Sequence, residues 1–145
     1  FIKAMNVNCF AFQDVMALLV KSGLAQKGFA AVAVSSVSAV TAWPGSIVYS
    51  SSKAALSAMV RSMALEFAAA GLRINSVSPS NVKTPMLDAL TVFKTPEALK
   101  KLESSQPLGF GEPSDVAGAV SFLLSEEARF VTGIDMPVDG GYLLQ

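Results

Sequence analysis

The run Ala30-Ala31-Val32-Ala33-Val34 limits what this chain can fold into more than any other segment. It is small and apolar, it is flanked by glycines and serines, and it shows neither helical spacing nor in-out alternation. Such a run suits a strand covered on both faces, the environment of a parallel sheet sandwiched by helices. It is far short of the roughly 18 residues that a membrane-spanning helix needs.

The flanking segments agree with that environment. Phe12, Val15, Met16, Leu19 and Val20 recur at helical spacing within residues 1–22, and Gly23 closes that segment. Ser35 to Gly45 is rich in Ser, Thr and Pro and predicts a loop. Ile47 to Ala70 predicts the longest helix, with Ala54, Ala55, Met59, Met63 and Leu65 on a close-packing side and Gly71 as its stop. Leu72 to Ser78 alternates as a strand does, and Pro79 is expected to end it. Thr84-Pro85 opens a short helix, Thr95 to Ser104 a more polar one, and Glu112-Pro113-Ser114-Asp115 a helix reaching Leu124. Ile134 to Val138 is the last strand. Strands and helices thus alternate, which predicts an α/β fold: a doubly wound parallel sheet of about three strands with flanking helices, in a single partial domain over residues 1–145.

Composition removes several classes of function. Eleven basic and eleven acidic residues cancel, so no field attracts nucleic acid or an anionic membrane. There is no histidine and one cysteine, Cys9, which leaves no Ser-His-Asp machinery, no zinc site and no internal disulfide. That cysteine usage fits a reducing compartment, and a cytoplasmic location is expected. Cys9 itself is read as a small buried apolar residue. Residues 1–20 lack the pattern of a secretory signal.

With histidine absent, the acid/base candidate is a tyrosine. Tyr49 and Lys53 are four residues apart on the long helix, hence on one face, and Ser36 lies thirteen residues before Tyr49. A free tyrosine, with a pKa near 10, is a poor base at neutral pH. A lysine ammonium ~4 Å away supplies up to ~4 kcal/mol at an effective dielectric of 20. Lowering a phenol by two units needs about 2.7 kcal/mol, so a lysine can do it. Proton transfer at an alcohol or carbonyl oxygen follows, with a serine hydroxyl orienting that oxygen. None of these residues can deliver a hydride, so a nicotinamide cofactor is required. The bland reading is an ordinary Tyr/Lys pair on a helix surface.

The surrounding segments decide between the two. Ser35-Ser36, Pro44-Gly45 and Tyr49-Ser50-Ser51-Ser52-Lys53-Ala54-Ala55-Leu56 together resemble the active-site segment of the short-chain dehydrogenases/reductases. The resemblance continues through Arg73-Ile74-Asn75-Ser76-Val77-Ser78-Pro79, Thr84-Pro85-Met86, Gly111-Glu112-Pro113-Ser114-Asp115-Val116-Ala117, Thr132-Gly133 and Val138-Asp139-Gly140-Gly141. Members resembling 3-oxoacyl-carrier-protein reductases are the nearest in character. The resemblance implies a Rossmann-like fold and an NAD- or NADP-dependent interconversion of a hydroxyl and a carbonyl.

Site roles follow from the resemblance residue by residue. Ser36, Tyr49 and Lys53 match the catalytic serine, tyrosine and lysine. Asn8, 28 residues before Ser36, matches the asparagine that supports a proton relay through water. Its alternative role is a polar residue kinking the first helix. Tyr49 and Lys53 also face the cofactor, and Pro79, Val82 and Thr84 match the loop that contacts the nicotinamide. Residues 84–110 match the substrate lid, with Met86, Leu87, Leu90 and Phe93 as apolar contacts. A small-molecule alcohol or ketone is the expected partner, and a homodimer or homotetramer the expected assembly of the full-length form. Met59, Met63 and Phe67, at four-residue steps, are read as a packing face and not a ligand site. Glu66 and Arg73 are read as solvated or locally paired surface charges, and Asp115 as helix N-terminal electrostatics.

The chain departs from the family pattern in two respects. Pro79 is followed by Ser80 where the family usually has glycine. The Gly-rich turn that cradles a pyrophosphate does not occur in these 145 residues, and the resemblance implies it in a preceding segment of roughly a hundred residues. The chain alone is therefore expected to bind NAD(P)H poorly. A second reading is a non-catalytic remnant acting as an oligomerising module. A sugar epimerase or dehydratase shares Tyr-x-x-x-Lys, but the Val138–Gly141 ending argues against the appended substrate domain of those enzymes.

Overall fold

A computed structural model describes residues 1–89 and 95–144. Three parallel strands, β1 (Ala30–Val34), β2 (Arg73–Pro79) and β3 (Asp135–Val138), lie in the order β1-β2-β3. The register pairs Ala30 with Arg73 and Val34 with Val77, then Ser76 with Asp135 and Pro79 with Val138. Parallel neighbours need crossover helices. Helix α3 (Ile47–Phe67) carries the chain from β1 to β2, and α6 (Pro113–Leu124) precedes β3.

β2 is the central strand and is buried from Ile74 to Ser78. Alternation sorts its side chains. Ile74 packs with Leu56, Val60, Met63 and Ala64 of α3, and with Cys9 and Met16. Arg73 reaches the other way, to the end of α6. The sheet is thus covered on both faces, as the Ala-Val run requires. Its β1 edge has no further strand beside it among the described residues, and Val34 is 52% exposed there.

Differences from the sequence reading have local causes. The first helix is interrupted: α1 (Ile2–Met5) and α2 (Ala11–Lys21) flank a π-helical turn over Asn6–Phe10. The extra residue in that turn lets Cys9 face the core while Asn8 faces α3. β2 includes Pro79, because its bonds to β3 fall on the even-numbered residues, as where the Ser76 N–H donates to the Ile134 carbonyl, so proline's missing N–H lies on the β1 side and costs the pairing with Val138 nothing. β3 begins at Asp135, one residue after the expected start.

Arg73 is not a solvated surface charge. Its guanidinium donates to the carbonyls of Leu123 at 2.8 Å, Val131 at 3.3 Å and Ser125 at 3.0 Å, closing the C-terminus of α6. Gly71, at φ +75°, turns the chain from the α3 extension into β2. A Cβ there would also sit 2.9 Å from Lys27 Cγ. Helix α6 starts as read, with the Asp115 carboxylate accepting from the Glu112 N–H at 2.7 Å. The remaining short helices are α4 (Pro85–Asp88) and α5 (Pro96–Ser104), the latter capped by Thr95 Oγ1 accepting from the Ala98 N–H at 3.2 Å. No helix among the described residues is long and apolar enough to cross a membrane.

Candidate active site

In a parallel α/β sheet, ligands bind beyond the carboxyl ends of the strands. Ser35 and Ser36 follow β1 directly, the loop 80–84 follows β2, and Asp139 follows β3. Helix α3 runs back from this edge with Tyr49 and Lys53 in its first two turns, after the Trp43–Ser46 turn that begins it. The predicted residues therefore converge on one edge for a topological reason.

Lys53 is the best-tied member. Its ammonium donates to the Val34 carbonyl at 2.8 Å, at the last residue of β1, and lies 5.8 Å from the centroid of the Tyr49 ring. Burial lowers the Lys53 pKa from the ordinary lysine value, since desolvation penalises the charged form. An ammonium has three donors, so two remain uncommitted among the described residues.

Ser36 is buried, and its hydroxyl donates to Ser38 Oγ at 2.9 Å while accepting from the Ser38 N–H at 3.1 Å. It caps a single 3-10 turn, Val37–Ala39, within the predicted loop. Its neighbour Ser35 contacts the Lys53 carbonyl at 3.3 Å, which links the serine loop to the lysine turn of α3.

Asn8 reaches the cluster indirectly. Its side-chain amide donates to Ser52 Oγ at 3.0 Å, and Ser52 donates to the Tyr49 carbonyl at 2.7 Å. The π-helical turn aims it there, so the bend and the placement come together.

Pro79, Val82 and Thr84 lie on the same edge but are held by other partners. Pro79 pairs with Val138, Val82 forms a parallel bridge with Gly111, and Thr84 Oγ1 donates to the Val82 carbonyl at 3.3 Å. Ser80, the departure from glycine, needs no positive φ, and its hydroxyl donates to the Asp139 carbonyl at 3.0 Å. Beside this loop is a cavity of about 450 Å³ lined by Lys83, Thr84, Pro85, Leu87, Leu99 and Phe110. Lys83 is ion-paired with Glu112 at 2.6 Å, and that hydrogen bond raises the lysine's pKa. Of the apolar lid residues, Met86 is exposed and Leu87 lines the cavity, while Leu90 and Phe93 fall outside the described residues.

Two participants escaped the sequence reading. Trp43 stacks obliquely on Tyr49, with ring centroids 6.3 Å apart; as the chain's single tryptophan six residues away, it could have been noticed. Asp135 could not. Its carboxylate accepts from Ser57 at 2.9 Å and from Ser76 and Ser78 at 2.8 Å each, and Ser57 in turn meets Ser35 at 2.7 Å. This collar joins β2, β3, α3 and the serine loop. In sequence, its members are scattered over a hundred residues.

Comparison with known proteins identifies the family. The family model described as enoyl-(acyl carrier protein) reductase matches residues 1–143. The chain belongs to the short-chain dehydrogenase/reductase family. It is 46% identical to the 4-formylbenzenesulfonate dehydrogenase of Comamonas testosteroni over 112 residues, 76% of this chain and 44% of that protein. It is 35% identical to the 3-oxoacyl-acyl-carrier-protein reductase of Thermotoga maritima over 141 residues, 97% of this chain and 56% of the relative. A solved 4-hydroxyisoleucine dehydrogenase mutant in complex with NADH and succinate superimposes with a TM-score of 0.88 at 30% identity, covering 97% of this chain and 58% of that one. The structure of ElxO with NADP bound matches at a TM-score of 0.71 and 35% identity, over 80% of this chain and 47% of that one. The chain spans about half the length of the curated relatives it matches.

Proposed function

We propose that these residues form the acid/base and nicotinamide side of an NAD(P)-dependent oxidoreductase that interconverts a hydroxyl and a carbonyl on a small molecule. The observation that carries the reading is the placement of Lys53. Its ammonium is fixed to the end of β1, close to Tyr49, and keeps donors in reserve.

Two free N–H donors on a partly desolvated ammonium suit the vicinal hydroxyls of a ribose, and the loop with Pro79, Val82 and Thr84 lies on the same sheet edge. A bound nicotinamide supplies the hydride. Tyr49 gives a proton to the substrate oxygen in reduction and removes it in oxidation. Ser36 orients that oxygen and stabilises the charge developing on it. The positive charge of Lys53, 5.8 Å from the Tyr49 ring centroid, faces the charge that develops as the proton moves. Asn8, through Ser52, holds the turn of α3 that carries Tyr49 and Lys53, in line with a supporting place in a proton relay. The apolar cavity beside Thr84 favours a compact, largely apolar alcohol or ketone. Relatives solved with NADH and with NADP support either cofactor for this chain.

The test joins residues 1–145 to the part of the Thermotoga maritima relative that this chain does not cover, and follows NADPH oxidation with a panel of ketones. Turnover is expected, and Tyr49→Phe should lower kcat by about 10²- to 10⁴-fold, the range for a positioned general acid. A loss below tenfold, or no turnover in the parent, defeats the reading.

A second reading has its own support. Ile2, Val7, Val15 and Leu18 of the first helical segments are more than half exposed, and the β1 edge is open among the described residues. An association module that buries these residues against a second chain fits them. In that case the chain would oligomerise, and the Tyr49→Phe joined protein would match its parent.

A further inference from the structure

The loops that follow β2 and β3 meet the segment 105–111 at one side chain, Gln106, which is only 2% exposed. Its amide nitrogen donates to the Asn81 carbonyl at 3.2 Å and the Gly109 carbonyl at 3.0 Å, and its amide oxygen accepts from the Asn81 N–H at 3.1 Å. The side-chain amide therefore bonds both main-chain groups of Asn81, as a peptide unit of a neighbouring strand would.

Asn81 needs such a partner because β2 has ended at Pro79. The next main-chain bonds extend the same pairing: Gly111 N–H to the Asn81 carbonyl at 3.2 Å and Lys83 N–H to the Gly111 carbonyl at 2.9 Å. The β3 loop closes on the far side, with the Leu108 N–H donating to the Gly140 carbonyl at 3.1 Å. A Cβ on Gly140 would lie 3.3 Å from the Gly109 carbonyl oxygen, and Gly140 is at φ +58°. Burying a glutamine for packing alone is unfavourable, because its long side chain loses much rotamer freedom and its amide must be desolvated. A leucine would fill the volume without that cost. What a leucine cannot do is stand in for a strand.

We propose that Gln106 is a positioning residue for the loop 79–84, holding Val82 and Thr84, and with them the cavity wall at Lys83 and Pro85, in the arrangement the reaction uses. The proposal rests on the reading that this loop faces the nicotinamide.

Two variants test it. In the 145-residue chain, amide exchange followed by NMR should be at least about tenfold faster at Asn81 in Gln106→Leu, as for one lost hydrogen bond, with the β1 amides unchanged. Gln106→Glu retains the acceptor for the Asn81 N–H but aims a second carboxylate oxygen at two carbonyl oxygens. Protonation restores a donor there, so its defect should shrink as pH falls through roughly 4 to 6. In the joined protein, Gln106→Leu should lower kcat about tenfold, and the deficit of Gln106→Glu relative to parent should narrow at low pH. Packing alone would give no such pH-dependent ratio. Unchanged Asn81 exchange overturns the proposal, as does lost protection with full turnover. A parent without turnover defeats the oxidoreductase reading and this one with it, whereas an active parent indifferent to Gln106 defeats only this one. Should Gln106→Leu fail to fold, Gln106→Glu carries both measurements.

Discussion

Replacing Asp135 tests whether the serine collar is a hydrogen-bonded unit. Its carboxylate takes three hydroxyl protons from Ser57, Ser76 and Ser78, all of them at most 4% exposed. Asp135→Ala leaves those hydroxyls to find other acceptors. Ser57 has one at hand, since a helical serine can turn to the carbonyl four residues earlier, here Lys53. Ser76 and Ser78 point from a strand into the space the carboxylate vacated, and each orphaned hydroxyl costs about 1–3 kcal/mol. The expected loss is therefore roughly 2–6 kcal/mol. Asp135→Asn should cost far less, about 0–1.5 kcal/mol. Its amide oxygen can take both strand serines, and its NH₂ can donate to Ser57 once that hydroxyl has rotated. Losing the charge also relieves the desolvation of a carboxylate with no basic group in its collar. Urea unfolding is the assay. With m near 2 kcal/mol/M for a chain this size, Asp135→Ala should lower the midpoint by about 1–3 M and Asp135→Asn by well under 1 M. Combining Ser57→Ala with Asp135→Ala should cost less than the sum of the two, because both remove one bond. Equal damage from Asn and Ala would refute the argument, since charge and not hydroxyl satisfaction would then be what matters.

Two further predictions concern Lys53 and Arg73. Burial holds the Lys53 pKa below the ordinary 10.5, so the unfolded chain binds that proton more tightly than the folded one. Stability should rise with pH from the lowered pKa up to about 10.5, and Lys53→Met should remove that rise from unfolding curves taken across the window. Arg73→Ala strips three carbonyls of their donor, and should cost about 2–4 kcal/mol, a fall in Tm of roughly 5–12 °C by calorimetry. Arg73→Lys should recover less than half, because a point-like ammonium cannot span carbonyls that a planar fork bridges.

Much of this molecule is legible from residue order because the signals are local. The Ala-Val run and the stop at Gly71 each act within one element, and the fold has both in place, whereas Leu65, expected on the close-packing side of α3, is 82% exposed. Tyr49 and Lys53 share a face through helical pitch alone, so their proximity follows from sequence and secondary structure. Arg73 is the opposite case. A charge at the start of a strand has no local feature to show that three carbonyls from residues 123–131 will surround it.

By itself, then, the sequence determined the α/β order, the shared helical face of Tyr49 and Lys53, and the family, all written in short-range spacing. The tertiary structure alone decided which polar groups meet. Asp135 finds its three serines, Gln106 takes the place of a strand beside Asn81, and Lys53 spends one donor on Val34. A buried polar group must be paired, but its partner can come from any distance along the chain, and only the folded packing selects which one it is.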